Sequence, residues 1–310
     1  MEEKNKVAVI GAGIIGLYTA VKLRQKGFSV VVFEKNDRVG KKPCSALISE
    51  RIKEHISVPD NLYQRKVTSV LVHFPKKNIE LIVKPNFLHF ERKKLDEFVF
   101  QLAQKAGVEF FFGKEIKEIP QGFDKVIFCT GALFSKCRNF RLGIQYFVEN
   151  SEDQGIEIWP KVFTKNKYGF LWKIPGQESI EYGGIGQADR MLPELSNFLQ
   201  QKNIAFDKSK VKSAIIPQGL CFSEDNNVFL LGDAAGMTKP TTGGGVIWGM
   251  TATDILINNF SDFKKAERKI KRFFKPKILK GKLEVRVGYF IGEKLPFLLP
   301  KRFPIDADLF

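Results

Sequence analysis

Residues 6–35, "KVAVIGAGIIGLYTAVKLRQKGFSVVVFEK", carry the pattern of a single β-α-β unit. Val7 to Ile10 form an unbroken apolar run, as expected of a parallel strand covered on both faces. Gly11, Gly13 and Gly16 make the G-x-G-x-x-G turn. Gly11 permits the tight turn, Gly13 lets the backbone approach a pyrophosphate, and Gly16 lets the following helix lie close on the sheet. That helix points its N-terminus at the phosphate charge. It keeps an apolar face at Ile15, Tyr18, Thr19 and Leu23 and ends at Gly27. A second strand, Ser29 to Phe33, leads to Glu34, placed to accept hydrogen bonds from both hydroxyls of an adenosine ribose. Ile14, Ile15 and Lys35 complete the cofactor-binding set of this unit. Strand, glycines, helix, strand and acid in register specify dinucleotide binding, and NAD and FAD share the pattern.

A second glycine-rich stretch, "LLGDAAGMTKPTTGGG" at residues 230–245, lies far downstream. The run Val228 to Leu231 reads as a buried strand, followed by Gly232 and by Asp233, placed to bind a polyol hydroxyl. Pro240 and Gly243, Gly244 and Gly245 then open a helix. Glycines there leave backbone N–H groups free to approach a flat ring, and the positive helix end favours the anionic N1–C2=O edge of a reduced flavin. Between the two stretches, "FERKKLDEFVFQLAQKAGVEFFFG" reads as a helix over about 93–106 ended by Gly107. Arg92 and Asp96, four apart at its start, are either a cofactor contact through the arginine or a plain intrahelical ion pair. "FDKVIFCTGALFSKCR" reads as a strand ending in Thr130 and Gly131, a turn suited to close approach by a ligand.

The chain has 310 residues, enough for one large α/β domain with a smaller one set into it. Fifty Lys+Arg against 34 Asp+Glu give a net charge of +16, which calls for an anionic partner: nucleic acid, an anionic membrane surface, or an acidic protein or substrate. The four cysteines, Cys44, Cys129, Cys137 and Cys221, show no CxxC and read as free thiols in a reducing compartment. No signal peptide and no bilayer-spanning run is recognised, so the expected location is cytoplasmic, with any membrane role peripheral, on the inner face. With 29 Phe but 6 Tyr and 3 Trp, the aromatic surface has few polar handles. It suits a Phe-rich core, or in part a pocket for a long hydrocarbon.

Five pieces of the chain together resemble FAD-dependent oxidoreductases of the para-hydroxybenzoate hydroxylase fold, and within them the geranylgeranyl reductase family. They are the GxGxxG unit with Glu34, "KPCSALIS", the R-x-x-L-D at Arg92 to Asp96, "YGFLWKIP" followed by "YGGIG", and "GDAAGMTKPTTGGG". The second and fourth point to the reductases. This chain has Ser45 and Ala46 where they commonly have glycines, Phe170 where Tyr is usual, Ile174 where Phe is usual, and Thr130-Gly131 where many superfamily members have Asp-Gly. The fold so implied is α/β: a Rossmann-like FAD-binding domain with an inserted antiparallel β-sheet substrate domain and a helical C-terminal tail. Its expected division is 1–62, 91–138 and 216–262 for FAD binding, 63–90 and 139–215 for substrate, and 263–310 for a basic amphipathic tail.

The resemblance implies reduction of carbon–carbon double bonds in a geranylgeranyl or polyprenyl chain on a lipid. Reduced flavin N5 would deliver a hydride to one alkene carbon while a proton reaches the other. Cys44 would lie beside the flavin together with Ser45 and Ala46, as a proton donor, a substrate contact or a packed thiol. Phe170, Trp172, Pro175 and Trp248 would line the substrate tunnel. His55, His73 and His89 fall outside the motifs and read as structural. No metal site is expected. No second dinucleotide fold is apparent, because "YGGIG" reads as sheet without a following helix. NAD(P)H binding transiently and an acidic ferredoxin-like protein are equal candidates for the electron donor.

In the tail, Phe263, Ala266, Ile270, Phe273 and Phe274 recur at helical spacing among lysines and arginines. Such a helix either lies on an anionic bilayer or packs on the FAD domain. A flavin monooxygenase of the same fold acting on a hydrophobic substrate is the alternative enzyme. A basic flavin-fold protein binding nucleic acid is the alternative from another class, although no nucleic-acid module is recognised and the cations concentrate in the tail.

Overall fold

The computed structural model describes residues 6–135, 137, 139–149, 155–164 and 167–308. In chain order the elements are β1 (Lys6–Ile10), α1 (Ile14–Gln25), β2 (Ser29–Phe33), β3 (Leu47–Ser49), α2 (Ile52–His55), β4 (Tyr63–Phe74) and β5 (Lys77–Phe90). Next come α3 (Arg92–Lys105), β6 (Glu109–Phe111), β7 (Lys125–Phe128), β8 (Asn139–Glu149), β9 (Glu157–Thr164), β10 (Lys167–Pro175) and β11 (Ser179–Gly186). The last are α4 (Ala188–Gln201), β12 (Lys212–Gln218), β13 (Val228–Leu230), α5 (Val246–Ile257), α6 (Phe263–Lys294) and β14 (Arg302–Asp306).

The continuous apolar runs at β1, β2, β7 and β13 sit in one all-parallel, five-stranded sheet of order β13-β7-β1-β2-β6. Burial on both faces explains those runs, and Val7, Ala8 and Val9 have no exposed surface. The helices α1, α3 and α5 lie close to one another over this sheet. Between its strands the chain leaves to build a second, nine-stranded sheet of order β12-β8-β11-β10-β9-β4-β5-β14, with β3 also on β5. Its pairs are antiparallel except β4–β9 and β14–β5. Alternation along β10 divides its side chains between two cores. Trp172 and Ile174 pack with Ile185 and Val67, whereas Leu171 packs beneath α4 with Met191 and Leu195.

Four expectations need correction. The tail is not wholly helical: after α6 the chain returns, and β14 runs parallel to β5 from Arg302↔Glu80 to Asp306↔Lys84. Proline and charge in that segment hide its strand character. A helix does follow "YGGIG", since α4 starts two residues after β11 ends. The strand is antiparallel to both neighbours, so the unit is still not a β-α-β fold. The cysteines are not all free. Cys137 and Cys221 form a disulfide with Cα atoms 5.7 Å apart, across a sequence separation of 84 that spacing could not reveal; Cys44 and Cys129 are free. The inference of a reducing compartment therefore loses its basis.

The fourth correction is confined to Phe273, since packing of the tail's apolar face was one of its two expected courses. Phe263, Ala266, Ile270 and Phe274 are buried, with Phe263 against Phe229 and Phe274 against Trp248. Each large side chain so buried contributes about 1.5–3 kcal/mol, enough to fix this half of α6 on the parallel-sheet domain. Phe273, grouped with them by spacing, is exposed.

Candidate functional site

The first glycine turn is shaped by the parallel sheet itself. Gly11 has φ +106°, and a Cβ there would stand 2.6 Å from the Cys129 carbonyl oxygen. A Cβ on Gly16 would stand 1.9 Å from the Gly11 carbonyl oxygen. Gly13 differs, because a Cβ there would meet nothing within 4 Å. It caps α1 with no side-chain hydrogen bond, so the first-turn N–H groups face open space. Buried Glu34 accepts from the Ala12 amide at 2.8 Å and from the Asn36 amide at 2.9 Å, which ties the acid to the turn. Ile14 is buried beneath the turn, and Lys35 points outward. Opposite, Gly131 has φ +68°, and the buried Thr130 hydroxyl has no partner among the described residues.

The second turn is built against the antiparallel sheet. The Lys239 amide donates to the Gly244 carbonyl and the Gly243 amide to the Lys239 carbonyl, both at 2.9 Å. Gly243 has φ +75°, and a Cβ there would stand 2.5 Å from Ile185 Cδ1 on β11. Half-buried Arg141, on β8, donates from Nη1 to the carbonyls of Pro240 and Thr241 at 3.0 and 3.1 Å. Thr238 Oγ1 donates to the Pro217 carbonyl and Gln218 Nε2 to the Lys239 carbonyl. Gly245 caps α5 without a side-chain hydrogen bond, leaving its N–H groups bare. The two turns meet through Ile15, which contacts Gly232 and Gly249. Asp233 is held by Lys42 at 2.5 Å, joining the loop before Cys44 to this cradle.

Lys239 is the most unusual cation of the site. It is buried, its ammonium donates to the Ala307 carbonyl, and Asp308 stands 4.0 Å away. Burial pushes its pKa down to about 8 despite the opposing pull of Asp308 and Asp306.

Above the second turn, the face of β10 and β11 presents Phe170 and Trp172, with ring centroids 5.7 Å apart. Beside them lies a carboxyl that sequence reasoning missed. Glu181 Oε1 accepts from Ser45 Oγ at 2.6 Å, Trp172 Nε1 at 2.7 Å and Gln145 Nε2 at 2.8 Å. Burial raises its pKa toward the neutral form, against the opposing effect of those donors. Its only signal in the sequence is a charge at a position where strand alternation demands an inward side chain. Ala46 takes φ +50°, the left-handed conformation that favours the glycine usual there. Of its two alternatives, Arg92 forms the intrahelical ion pair. It bonds Asp96 at 2.9 Å as an intrahelical pair, and it also stands against Cys44. Burial disfavours its charge, but Asp96 and Cys44 hold its pKa above the ordinary value.

Two residues expected at the substrate wall are elsewhere. Trp248 faces α6 and the end of the chain, stacked near Phe274 with Nε1 donating to the Asp308 carbonyl at 3.2 Å. Its partners Phe274 and Asp308 lie on the side of α5 that faces α6, away from Phe170 and Trp172. Pro175 shares the strand parity of Leu171, so alternation places it on the face opposite Trp172. The histidines serve structure: His55 bonds Asp254 at 2.8 Å, and His73 bonds Glu157 at 2.6 Å. His89 is buried, with its pKa pushed down to about 4 by burial and then by Arg65. Among the described residues no cluster of His, Cys, Asp and Glu could hold a metal.

These features fit an extended dinucleotide. Two uncapped helix ends, an open backbone at Gly13 and an unpartnered Thr130 hydroxyl lie along the carboxyl edge of one parallel sheet. Residues 9–42 match the NAD(P)-binding Rossmann-like domain family. The chain is 22% identical over 307 residues to the digeranylgeranylglycerophospholipid reductase of Methanosarcina acetivorans, covering 82% of this chain and 74% of that one. Its fold superposes on a geranylgeranyl bacteriochlorophyll reductase-like protein from Thermoplasma acidophilum with a TM-score of 0.75 at 17% identity, covering 94% and 88% of the two chains. A kynurenine 3-monooxygenase of Flavobacterium johnsoniae is 25% identical over 137 residues, covering 38% of this chain and 30% of that one.

Two sheets sharing two glycine cradles in this order give the chain the fold of that reductase-like protein. In sequence and in fold the chain is similar to proteins named as geranylgeranyl reductases.

Proposed function

We propose that the protein reduces carbon–carbon double bonds in the polyprenyl chain of a lipid. The observation that carries this reading is the wall of Phe170, Trp172 and Ile185, which meets the second glycine turn through Ile185 at Gly243. The wall's acid, Glu181, is driven toward its neutral form. An apolar chain can lie on such a surface, and a charged substrate would find no exposed counter-ion there. When bound, FAD supplies hydride chemistry. The chain's own part is to present bare N–H groups at Gly245, to hold the substrate wall through Glu181, and to keep a thiol at Cys44 beside Arg92. The electron donor is NAD(P)H or an acidic ferredoxin-like protein, and the +16 charge suits the latter.

The flavin monooxygenase reading has less support, since its relative matches 38% of the chain against 82% for the reductase. Anaerobic incubation of the reduced holoenzyme with a geranylgeranyl lipid tests the choice. Product that gains the mass of H2 per bond, with reoxidation of the flavin, is the expected result. Flavin that stays reduced with every prenyl lipid overturns it, as does hydroxylated product in a parallel incubation with oxygen.

A further inference from the structure

One face of α6 has two unlike halves. At steps of three and four residues its solvent side runs Lys265, Arg268, Lys269, Arg272 and Lys275, then Leu279, Leu283, Val287 and Phe290. All are exposed, Leu279 to 60% and Leu283 to 61%, and just past the helix Phe297 reaches 74%. Lys280, Lys282, Arg286 and Lys294 border the apolar stripe and are exposed too. On the basic half Glu267 is buried beneath Lys264, and Asp262, the helix cap, stands 3.9 Å from Arg268, so exposed cations outnumber the exposed carboxylates there. Two shallow grooves open among these cations, one of them walled by Ile255, Asn258, Lys269, Arg272 and Phe273.

This exposure does not come from a loose helix. The opposite side of α6 is anchored along its length: Ile270, Phe274 and Ile278 are buried, and Gly281 lies against Pro240. Further on, Tyr289 Oη donates to the Gly169 carbonyl at 2.5 Å, and Gly292 lies against Phe74. An ordered helix therefore holds a large apolar stripe in water, which soluble surfaces rarely do without a partner.

We propose that this face docks on an anionic lipid bilayer, with α6 lying in the interface plane. Its cations would meet lipid phosphates, and Leu279, Leu283, Val287 and Phe290 would enter the acyl boundary. A nucleic acid would match the cations and leave the apolar stripe wet. A second copy would cover the stripe and bring two basic surfaces together. The proposal rests on the prenyl-lipid reading only for its purpose, since a bilayer is where such a substrate resides. Through Gly281 the docked helix touches Pro240, one residue from the second glycine turn's Lys239.

Sedimentation with vesicles tests it without prenyl lipid or electron donor, so its outcome is separate from that of the turnover experiment. Vesicles of phosphatidylglycerol and phosphatidylcholine should bind the holoenzyme at least tenfold better than phosphatidylcholine alone. Binding should weaken as salt rises from about 0.1 to about 1 M, where the screening length falls from about 10 to about 3 Å. The double variants Leu283→Glu/Phe290→Glu and Lys269→Glu/Arg272→Glu should each lose tenfold or more, with unchanged melting temperature and flavin content. Equal binding to neutral vesicles overturns the proposal, as does wild-type binding by both variants. So does a dimer that forms without vesicle binding and is dissolved by Leu283→Glu/Phe290→Glu.

Discussion

The two glycine turns look alike in sequence and are held by opposite means. At Gly11 and Gly16 the close neighbours are main-chain atoms of the same parallel sheet: Cys129 carbonyl and Gly11 carbonyl. At Gly243 and Gly244 they are side chains, Ile185 Cδ1 and Lys239 Cε. The first turn is thus a property of the Rossmann unit alone. The second is held from the antiparallel sheet, where Arg141 and Gln218 bond its carbonyls and Pro217 accepts from the Thr238 hydroxyl. The second cradle is therefore mechanically part of the antiparallel-sheet domain, whereas the first is not.

Substituting Gly16→Ala is the severest way to test that contrast. A Cβ at 1.9 Å from a carbonyl oxygen cannot be relieved by rotating a side chain, so α1 must lift from β1. We expect a loss of about 3 kcal/mol or more in urea unfolding, above the usual overpacking range, together with loss of flavin. A variant that melts like wild type would show that the helix is not seated so closely.

Next comes the pH dependence of the second turn. Lys239 titrates near 8 in the folded protein against 10.5 for the ordinary side chain. Between those values the unfolded chain binds more protons, so stability should rise with pH from about 8 to about 10.5. At about 1.4 kcal/mol per unit this amounts to at most about 3 kcal/mol. Lys239→Met should lack the rise. Parallel stability curves for the two proteins would place Lys239 in water rather than against Ala307 and Asp308.

Gly243→Ala should cost less, about 1–2 kcal/mol, chiefly for a non-glycine residue at φ +75°. Its clash is with the far end of a flexible side chain. Adding Ile185→Ala should recover the steric part and leave the backbone part, as read by thermal unfolding. Full recovery would mean that the backbone conformation carries no strain for alanine.

The same contrast explains what could be read from residues alone. The parallel sheet was legible because its strands are local apolar runs and its glycines have fixed spacing from them. Glu34 and Asp233 were legible for the same reason, each standing at the end of such a strand. Glu181 and Arg141 were not, because their meaning lies in partners on other strands: Ser45 and Gln145 for one, the carbonyls of Pro240 and Thr241 for the other. Trp248 was misassigned since helical position beside three glycines says nothing of which way the ring turns. The disulfide and β14 escaped for a further reason, as both depend on chain return over long separations.

Gly13→Ala should have the smallest effect on the fold and the most selective one on the ligand. Its φ of −74° and ψ of 170° suit alanine, and the new methyl would enter open space. Stability should fall by only about 0.5–1 kcal/mol, the cost of a poorer helix cap. The methyl would nonetheless occupy the space over which a pyrophosphate must approach the N–H groups of α1. FAD affinity measured by fluorescence titration should drop at least tenfold, or about 1.4 kcal/mol. The pair of results would separate the two uses of glycine in one turn, with Gly16 serving the fold and Gly13 the cofactor. Wild-type affinity in this variant would mean that the phosphates do not cross Gly13, and the first turn would then resemble the second, shaped by packing alone.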